Sequence, residues 1–352
     1  KGVDGALWAV HGGGFYNPQK YMVAPKKIHT ELHWFYWESY STWLSGFALF
    51  TVLYLWNAGT FLVDKSVFAW SPMAAGAAAL GFLVAFWLVY DLICRTLGAR
   101  DGGDTLVGLV VAGVVVAASW AACQLFAGRA AFLLVGAMIA TAMSANVFFW
   151  IIPGQRKVVA AMMAGQPIDP VHGKRGKQRS VHNTYFTLPV LIAMLSNHYG
   201  WLYQGRWNWL VLVLLMLAGA LIRHFFVARH KAHVKGVQPP WGYAVAGCAL
   251  IGVLVVGLMP ARPAAPAAGA APVGFAQVQA VVQQRCVMCH NAQLQQKNVA
   301  LDSPELIGRH ALAIYQQVSV LKLMPLNNAT QITDDERELI RRWHEAGAPT
   351  KP

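Results

Sequence analysis

Seven apolar stretches that reach or approach the length of a membrane span constrain this sequence of 352 residues more than any other feature. A helix needs about 20 apolar residues to cross the hydrocarbon core of a bilayer. Because the stretches are continuous rather than alternating, and only helices and closed barrels satisfy their backbone in lipid, they predict spanning helices. The predicted spans run approximately from Ser41 to Val63, Met73 to Ile93, Leu106 to Phe126, Ala130 to Ile152, Thr184 to Tyr203, Trp207 to Val227 and Trp241 to Met259.

The composition supports a protein that lies mostly in lipid. Hydrophobic residues make up 56% of the chain and charged residues 12%, whereas soluble proteins carry about 25% charged residues. The net charge of +13 comes from short basic clusters between the apolar stretches. A nucleic-acid-binding protein would instead gather its cations on one polar face, so we expect no nucleic-acid partner.

The basic clusters also predict the orientation in the membrane. Lys and Arg accumulate in cytoplasmic loops, so the connection after the fourth span is expected in the cytoplasm. The chain then leaves the seventh span on the outer side. The cations of that connection are Arg156, Lys157, Lys174, Arg175, Lys177 and Arg179.

A change of composition near residue 260 predicts a domain boundary. Residues 260–274 are mainly Ala, Pro and Gly with almost no charge, which is typical of a semi-extended spacer. The sequence therefore divides into a membrane domain (1–259), a linker (260–274) and a small soluble domain (275–352). The expected fold class is all-α, a helix bundle joined to a helical C-terminal domain.

The segment C-V-M-C-H, from Cys286 to His290, predicts covalent attachment of one haem c. In this signature two thiols form thioethers with the haem and the adjacent histidine ligates the iron. A zinc ribbon would need a second pair of ligands, and none follows. Met324, followed by Pro325, is the expected second axial ligand.

Two helices are predicted around these ligands. Phe275 to Arg285 has an amphipathic pattern that leads into the attachment segment. Thr333 and Glu336 form a capping box that opens a last helix. We expect Trp343 on that helix to pack in the core.

Polar residues at the ends of the predicted spans are the candidates for chemistry in the membrane domain, because such groups are costly to bury in lipid. His33, His182 and Asn183 are the tentative catalytic residues. Either histidine could ligate a haem b or a metal, accept a substrate proton, or only reach the membrane interface.

Three segments together resemble the bacterial membrane-bound urate hydroxylases with a fused C-terminal cytochrome c. They are W-A-V-H-G-G-G-F-Y (Trp8 to Tyr16), H-W-F-Y-W-E-S-Y-S-T-W-L-S-G (His33 to Gly46) and R-S-V-H-N-T-Y-F-T-L-P-V-L (Arg179 to Leu191). The resemblance covers essentially the whole chain. It implies a multi-pass protein of the bacterial inner membrane with a periplasmic cytochrome c domain, and an eighth helix that would precede Lys1.

The resemblance implies oxidation of urate to 5-hydroxyisourate in purine degradation, with electrons passed to the fused haem rather than to oxygen. Urate, a planar anion, is expected in a pocket near the cytoplasmic face, held by Arg179 or Arg223 and by amides such as Asn183. A histidine would remove a proton. The expected partners are urate, the lipid bilayer, and a downstream terminal oxidase or soluble cytochrome. Oxidation of urate releases two electrons, whereas one haem accepts a single electron. A haem b or another metal in the membrane domain would allow the two electrons to pass one at a time.

Two other classes of function stay open at the level of the sequence. The chain could be a membrane-anchored electron-transfer subunit that oxidises quinol and has no urate chemistry. It could also be a transporter with a redox sensor, although no inverted repeat is visible.

Overall fold

The computed structural model describes residues 3–6, 8–11, 14–21, 24–25, 27–28, 31–100, 102–259 and 273–350. Helices form most of this part of the chain, as the sequence predicts. The expectation of an all-α fold is wrong for the amino-terminal segment, where the structure contains short strands. Aromatic and β-branched residues such as Val10, Phe15 and Tyr16 favour extended backbone there.

Four short strands form two antiparallel pairs. Strand β1 (Val3–Ala6) pairs with β4 (Gln19–Tyr21), and β2 (Ala9–His11) pairs with β3 (Gly14–Tyr16). In the second pair His11 lies opposite Gly14. The glycine-rich segment thus leads from one strand into the next, while Gly12 and Gly13 lie outside the described residues.

The helices of the predicted membrane domain follow in chain order. They are α1 (Trp37–Phe50), α2 (Ala58–Phe61), α3 (Pro72–Thr96), α4 (Asp104–Leu125), α5 (Gly128–Asn146), α6 (Ile152–Met163), α7 (Pro170–Leu195), α8 (Asn208–Lys235) and α9 (Trp241–Gly257). Wider π-helical turns follow α1 at Thr51–Leu55 and join α5 to α6 at Val147–Ile151.

Four helical segments of the described chain are long and apolar enough to cross a membrane. They are Pro72–Thr96, Asp104–Leu125, Gly128–Met163 and Asn208–Arg229, and they coincide with the second, third, fourth and sixth predicted spans. The other three spans stay predictions. A π-helical turn follows α1 within the first of them, α7 begins in a polar segment before the fifth, and α9 is shorter.

The chain forms two compact units. One comprises Lys1–Leu49, Leu83–Gly113 and Ala137–Thr187, and it includes the C-terminal half of α3, the end of α5, α6 and most of α7. The other comprises Phe50–Phe82, Val114–Gly136 and Leu188–Pro352, and it includes the C-terminal region.

The C-terminal region has a small apolar core built from short helices. These are α10 (Phe275–Arg285), α11 (Pro304–Arg309), α12 (Ala311–Ile314) and α13 (Asp334–Glu345). The predicted bounds of α10 and the predicted capping box of Thr333 and Glu336 are confirmed. Trp343 is fully buried in this core, as expected, and its indole nitrogen donates to the Pro349 carbonyl.

Candidate functional site

Four residues on α7 repeat at the spacing of one helix face. They are Arg179, His182, Asn183 and Phe186, which occupy positions i, i+3, i+4 and i+7. Residues at this spacing lie above one another on a helix. In the same compact unit, this face meets the C-terminal half of α3 and the end of α5.

An ion pair between α3 and α7 anchors the site. Arg179 Nη2 lies 2.7 Å from Asp91 Oδ1, and the two side chains are 3% and 9% exposed. Arg95 Nε reaches the other oxygen of Asp91 at 2.6 Å, and Trp150 Nε1 donates to Asp91 Oδ1 at 2.7 Å. The buried carboxylate is therefore fully hydrogen-bonded, which offsets part of the cost of removing it from water.

Asn146 is the junction of the site, and the chemistry of Arg179 fixes its orientation. A guanidinium can only donate, so the atom of Asn146 that faces Arg179 Nη1 at 3.1 Å is its oxygen. The amide nitrogen then donates to the Tyr90 hydroxyl oxygen at 2.9 Å and to Asn183 Oδ1 at 2.8 Å. Asn183 in turn donates to the Met143 carbonyl at 3.0 Å.

The network continues to His182. The Tyr90 oxygen accepts from Asn146, and His182 Nδ1 lies 2.8 Å from the same oxygen. Cys94 Sγ lies 3.8 Å from the same nitrogen. A neutral His182 whose Nδ1 accepts carries its proton on Nε2. When Tyr90 donates to Nδ1, the network Arg179–Asn146–Tyr90–His182 presents an N–H donor at its end, and we call this network the donor chain.

Aromatic rings surround the buried guanidinium. Arg179 lies 5.0 Å from the ring centre of Tyr90 and 5.1 Å from that of Trp150. Trp150 belongs to the π-helical turn that follows Asn146. Such turns re-aim side chains and are frequent at functional sites.

The residues predicted to bind haem c lie at the end of α10 and on the apolar core of the C-terminal region. Cys286 is buried in that core, and burial raises the pKa of its thiol to about 11. The backbone turns at once after it, because the amides of Cys289 and His290 both donate to the Cys286 carbonyl. His290 Nδ1 lies 3.2 Å from the Val299 carbonyl oxygen. A carbonyl only accepts, so Nδ1 carries the proton and Nε2 keeps the lone pair that an iron ion requires.

Met324 packs against the same apolar core as Cys286. The buried Arg337 on α13 holds its loop, since Arg337 Nη1 donates to the carbonyls of Val318 and Met324. Cys286 and Met324 on one apolar core, the exposed Cys289 at the attachment spacing and the oriented His290 imidazole fit a haem c.

The sequence model of a known family, described as urate oxidase N-terminal, matches residues 1–258. The chain belongs to this family. No curated protein and no solved structure matches the sequence.

In this urate oxidase family member, the described structure brings together two of the three residues that the sequence singles out in the membrane domain. His182 and Asn183 belong to one hydrogen-bonded network. His33 lies elsewhere: its Nε2 is 3.9 Å from Glu38 Oε1, with both side chains largely exposed, and its ring contacts Phe35. Arg223 lies on α8. A catalytic role stays a prediction for His33, His182 and Asn183.

Asp91, Tyr90 and Asn146 are not among the site residues predicted from the sequence. Asp91 and Asn146 each stand within an apolar stretch, and a carboxylate or amide there is a signal of function or of a buried partner. Arg179, by contrast, was grouped with the loop cations. The structure pairs it with Asp91, so it contributes little of its charge to solvent.

Among the residues that the structure describes, no three His, Cys, Asp or Glu side chains cluster as ligands of a metal ion. A haem b between two histidines needs no such cluster, and it stays a prediction. His182 could offer such a haem only one of its two nitrogens, because Nδ1 is occupied by Tyr90.

Proposed function

We propose that this protein oxidises urate to 5-hydroxyisourate and passes the electrons to a haem c attached at Cys286 and Cys289. Membership of the urate oxidase family supports a urate-related oxidoreductase. The observation that carries the proposal is the hydrogen-bonded network from Arg179 to His182, which lies within the matched residues, and we assign the proton of His182 to Nε2.

The donor chain suits an anionic substrate. Urate is a planar anion near neutral pH, and an N–H donor stabilises the negative charge of such a ring. Arg179 is paired with Asp91, so its own charge is largely balanced and its role is to orient Asn146 and, through Tyr90, His182. We therefore assign the binding contact to His182 and a positioning role to Arg179. This differs from the sequence-based expectation that Arg179 itself would hold urate.

The reaction needs no flavin or nicotinamide. A urate monoanion and one water give 5-hydroxyisourate, one proton and two electrons, so the oxygen atom comes from water. With His182 Nδ1 occupied by Tyr90 and Nε2 protonated, His182 serves as a hydrogen-bond donor to the ring. A proton-accepting role stays a prediction for His33.

Haem c, when bound, would accept one electron at a time, so the two electrons of one urate would reduce two oxidised haems, or one haem that the downstream acceptor reoxidises in between. Methionine–histidine ligation would raise its reduction potential. His290 and Met324 would hold the iron, and Arg337 holds the loop of Met324. After that loop, Asn327 Nδ2 donates to the carbonyls of Thr60 and Phe61 at 2.8 and 3.0 Å. These bonds join the loop of Met324 to the end of α2.

The proposal is tested by adding urate to the oxidised full-length protein without oxygen and following haem absorbance and product formation. Reduction of the haem together with 5-hydroxyisourate is the expected result. Reduction by quinol but not by urate would instead favour the electron-transfer subunit.

A further inference from the structure

A cleft of about 100 Å³ opens between residues 149–157 and the start of α7. Phe149 and Trp150 form an aromatic wall, and Lys157, His172 and Arg175 supply the polar lining. A bound water needs about 10 to 15 Å³ on this measure, so the cleft has room for a small organic molecule of roughly seven water volumes. The residues that line it, all within the described chain, include no carboxylate.

Positive charge surrounds the indole of Trp150. The guanidinium carbons of Arg95, Arg179 and Arg175 lie 4.9, 5.1 and 5.7 Å from its ring centre. Asp91 is hydrogen-bonded to Arg95 and Arg179, so a single carboxylate compensates two of these cations. Arg175 and Lys157 both line the cleft, so their two positive charges add there.

Trp150 connects this cleft to the donor chain. Its ring lines the cleft, while its Nε1 donates to the carboxylate that pairs with Arg179. An aromatic wall beside guanidinium groups binds flat anionic rings well, since stacking and charge act on the same ligand.

We infer that this cleft is a binding site for a small planar organic anion and that, if the proposed function holds, it captures the urate monoanion before the ring contacts His182. The positive-inside rule would gather cations on this side of a membrane protein whatever its substrate. The test therefore needs a control variant that removes one positive charge outside the cleft, so that a general loss of charge is distinguished from loss of the binding site.

The test compares Arg175→Gln with Lys174→Gln in the full-length protein. Lys174 is exposed on the same helix and does not line the cleft, so both variants lose one charge from one segment. Equilibrium binding of radiolabelled urate is measured first, in detergent and without oxygen. Arg175→Gln should weaken binding roughly tenfold, as expected for loss of a charge-assisted contact. The difference should shrink at high salt. Lys174→Gln should bind like the parent.

The same variants then separate this inference from the proposed function. In turnover, Arg175→Gln should raise KM for urate and leave kcat unchanged. If the parent binds but does not oxidise urate, the proposed function fails, and weaker binding by Arg175→Gln still supports the cleft. Equal binding by the two variants overturns the cleft, even where the parent oxidises urate. The binding measurement is repeated in vesicles of anionic lipid. If Arg175→Gln loses affinity for urate only in these vesicles and not in detergent, the cleft is also overturned, because its occupant is then a lipid headgroup.

Discussion

Arg179 on α7 lies 2.7 Å from Asp91 on α3, and this ion pair is almost completely buried. The pair stands at the origin of the donor chain that ends at His182. Both the stability of this part of the protein and the orientation of its polar groups depend on the pair.

Replacing Asp91 by Asn should destabilise the protein strongly. The change leaves the Arg179 guanidinium buried without a counter-charge, and loss of one member of a buried pair costs about 3 to 5 kcal/mol. Thermal unfolding in detergent measures the effect. Arg95→Gln is the control, because Arg95 contacts the same carboxylate but is 58% exposed, and an exposed pair contributes about 0 to 1 kcal/mol. Equal losses of stability in the two variants would contradict this account.

Replacing Tyr90 by Phe should lower urate turnover. It should destabilise the protein less than Asp91→Asn does. The change removes the hydroxyl that accepts from Asn146 and donates to His182, so the His182 ring loses its fixed tautomer. Buried groups left without a partner cost about 1 to 3 kcal/mol, and we expect kcat/KM to fall roughly tenfold to a hundredfold on that scale. Tyr36→Phe is the matched control, since the Tyr36 hydroxyl makes no hydrogen bond within the described residues. Parental turnover by Tyr90→Phe would remove the donor chain from the mechanism.

The sequence predicts local features well because local chemistry determines them. The bounds of α10 and the capping box of Thr333 and Glu336 follow from residues that are neighbours in the chain. Four of the apolar stretches likewise coincide with helices fit to cross a membrane. A run of apolar residues does not reveal where a helix is interrupted, so the π-helical turn at Thr51–Leu55 was not foreseen.

The composition of the site could be predicted only in part. His182 and Asn183 stand out because polar groups near lipid are costly. Their partners depend on how α3, α5 and α7 are rotated about their axes. The sequence of a single helix does not determine this rotation. The sequence places Arg179 among the loop cations and also offers it as a contact to urate, whereas the structure pairs it with Asp91.

Replacing Arg337 by Gln should loosen methionine ligation of the haem iron. Arg337 holds the carbonyls of Val318 and Met324 from within the core, so its loss frees the loop that presents the Met324 sulfur. We expect a weaker methionine-to-iron absorption band in the oxidised protein and a lower reduction potential, in the direction of Met324→Ala. Arg341→Gln is the control, because the ion pairs of Arg341 with Glu338 and Glu345 stay within the same helix. An unchanged band and potential in Arg337→Gln would show that the loop is held by other contacts.

The ion pair of Arg285 and Glu336 should make the C-terminal region sensitive to acid. Partial burial alone would raise the pKa of Glu336, but hydrogen bonds from Arg285 and from the Thr333 backbone outweigh it and leave this pKa below its ordinary value. A carboxyl with a depressed folded-state pKa contributes stability above its unfolded pKa of about 4.3 and loses it as the pH falls through the folded pKa.

Unfolding of the full-length protein, followed by haem absorbance between neutral pH and pH 3, measures this contribution. Glu336→Gln should be less stable than the parent near pH 7 and should lose less stability on acidification. Asp335→Asn removes a carboxyl from the same first turn of α13 and should keep the acid dependence of the parent. Parallel pH profiles for the parent and Glu336→Gln would exclude this ion pair as the source.

The proposed function requires that electrons from urate reach a haem attached at Cys286 and Cys289. The most direct measurement adds urate to the oxidised full-length protein under anaerobic conditions, records the reduced haem c spectrum, and assays peroxide after air is admitted. The account predicts haem reduction that requires urate, formation of 5-hydroxyisourate and no peroxide. A haem that stays oxidised with urate but is readily reduced by quinol would contradict it.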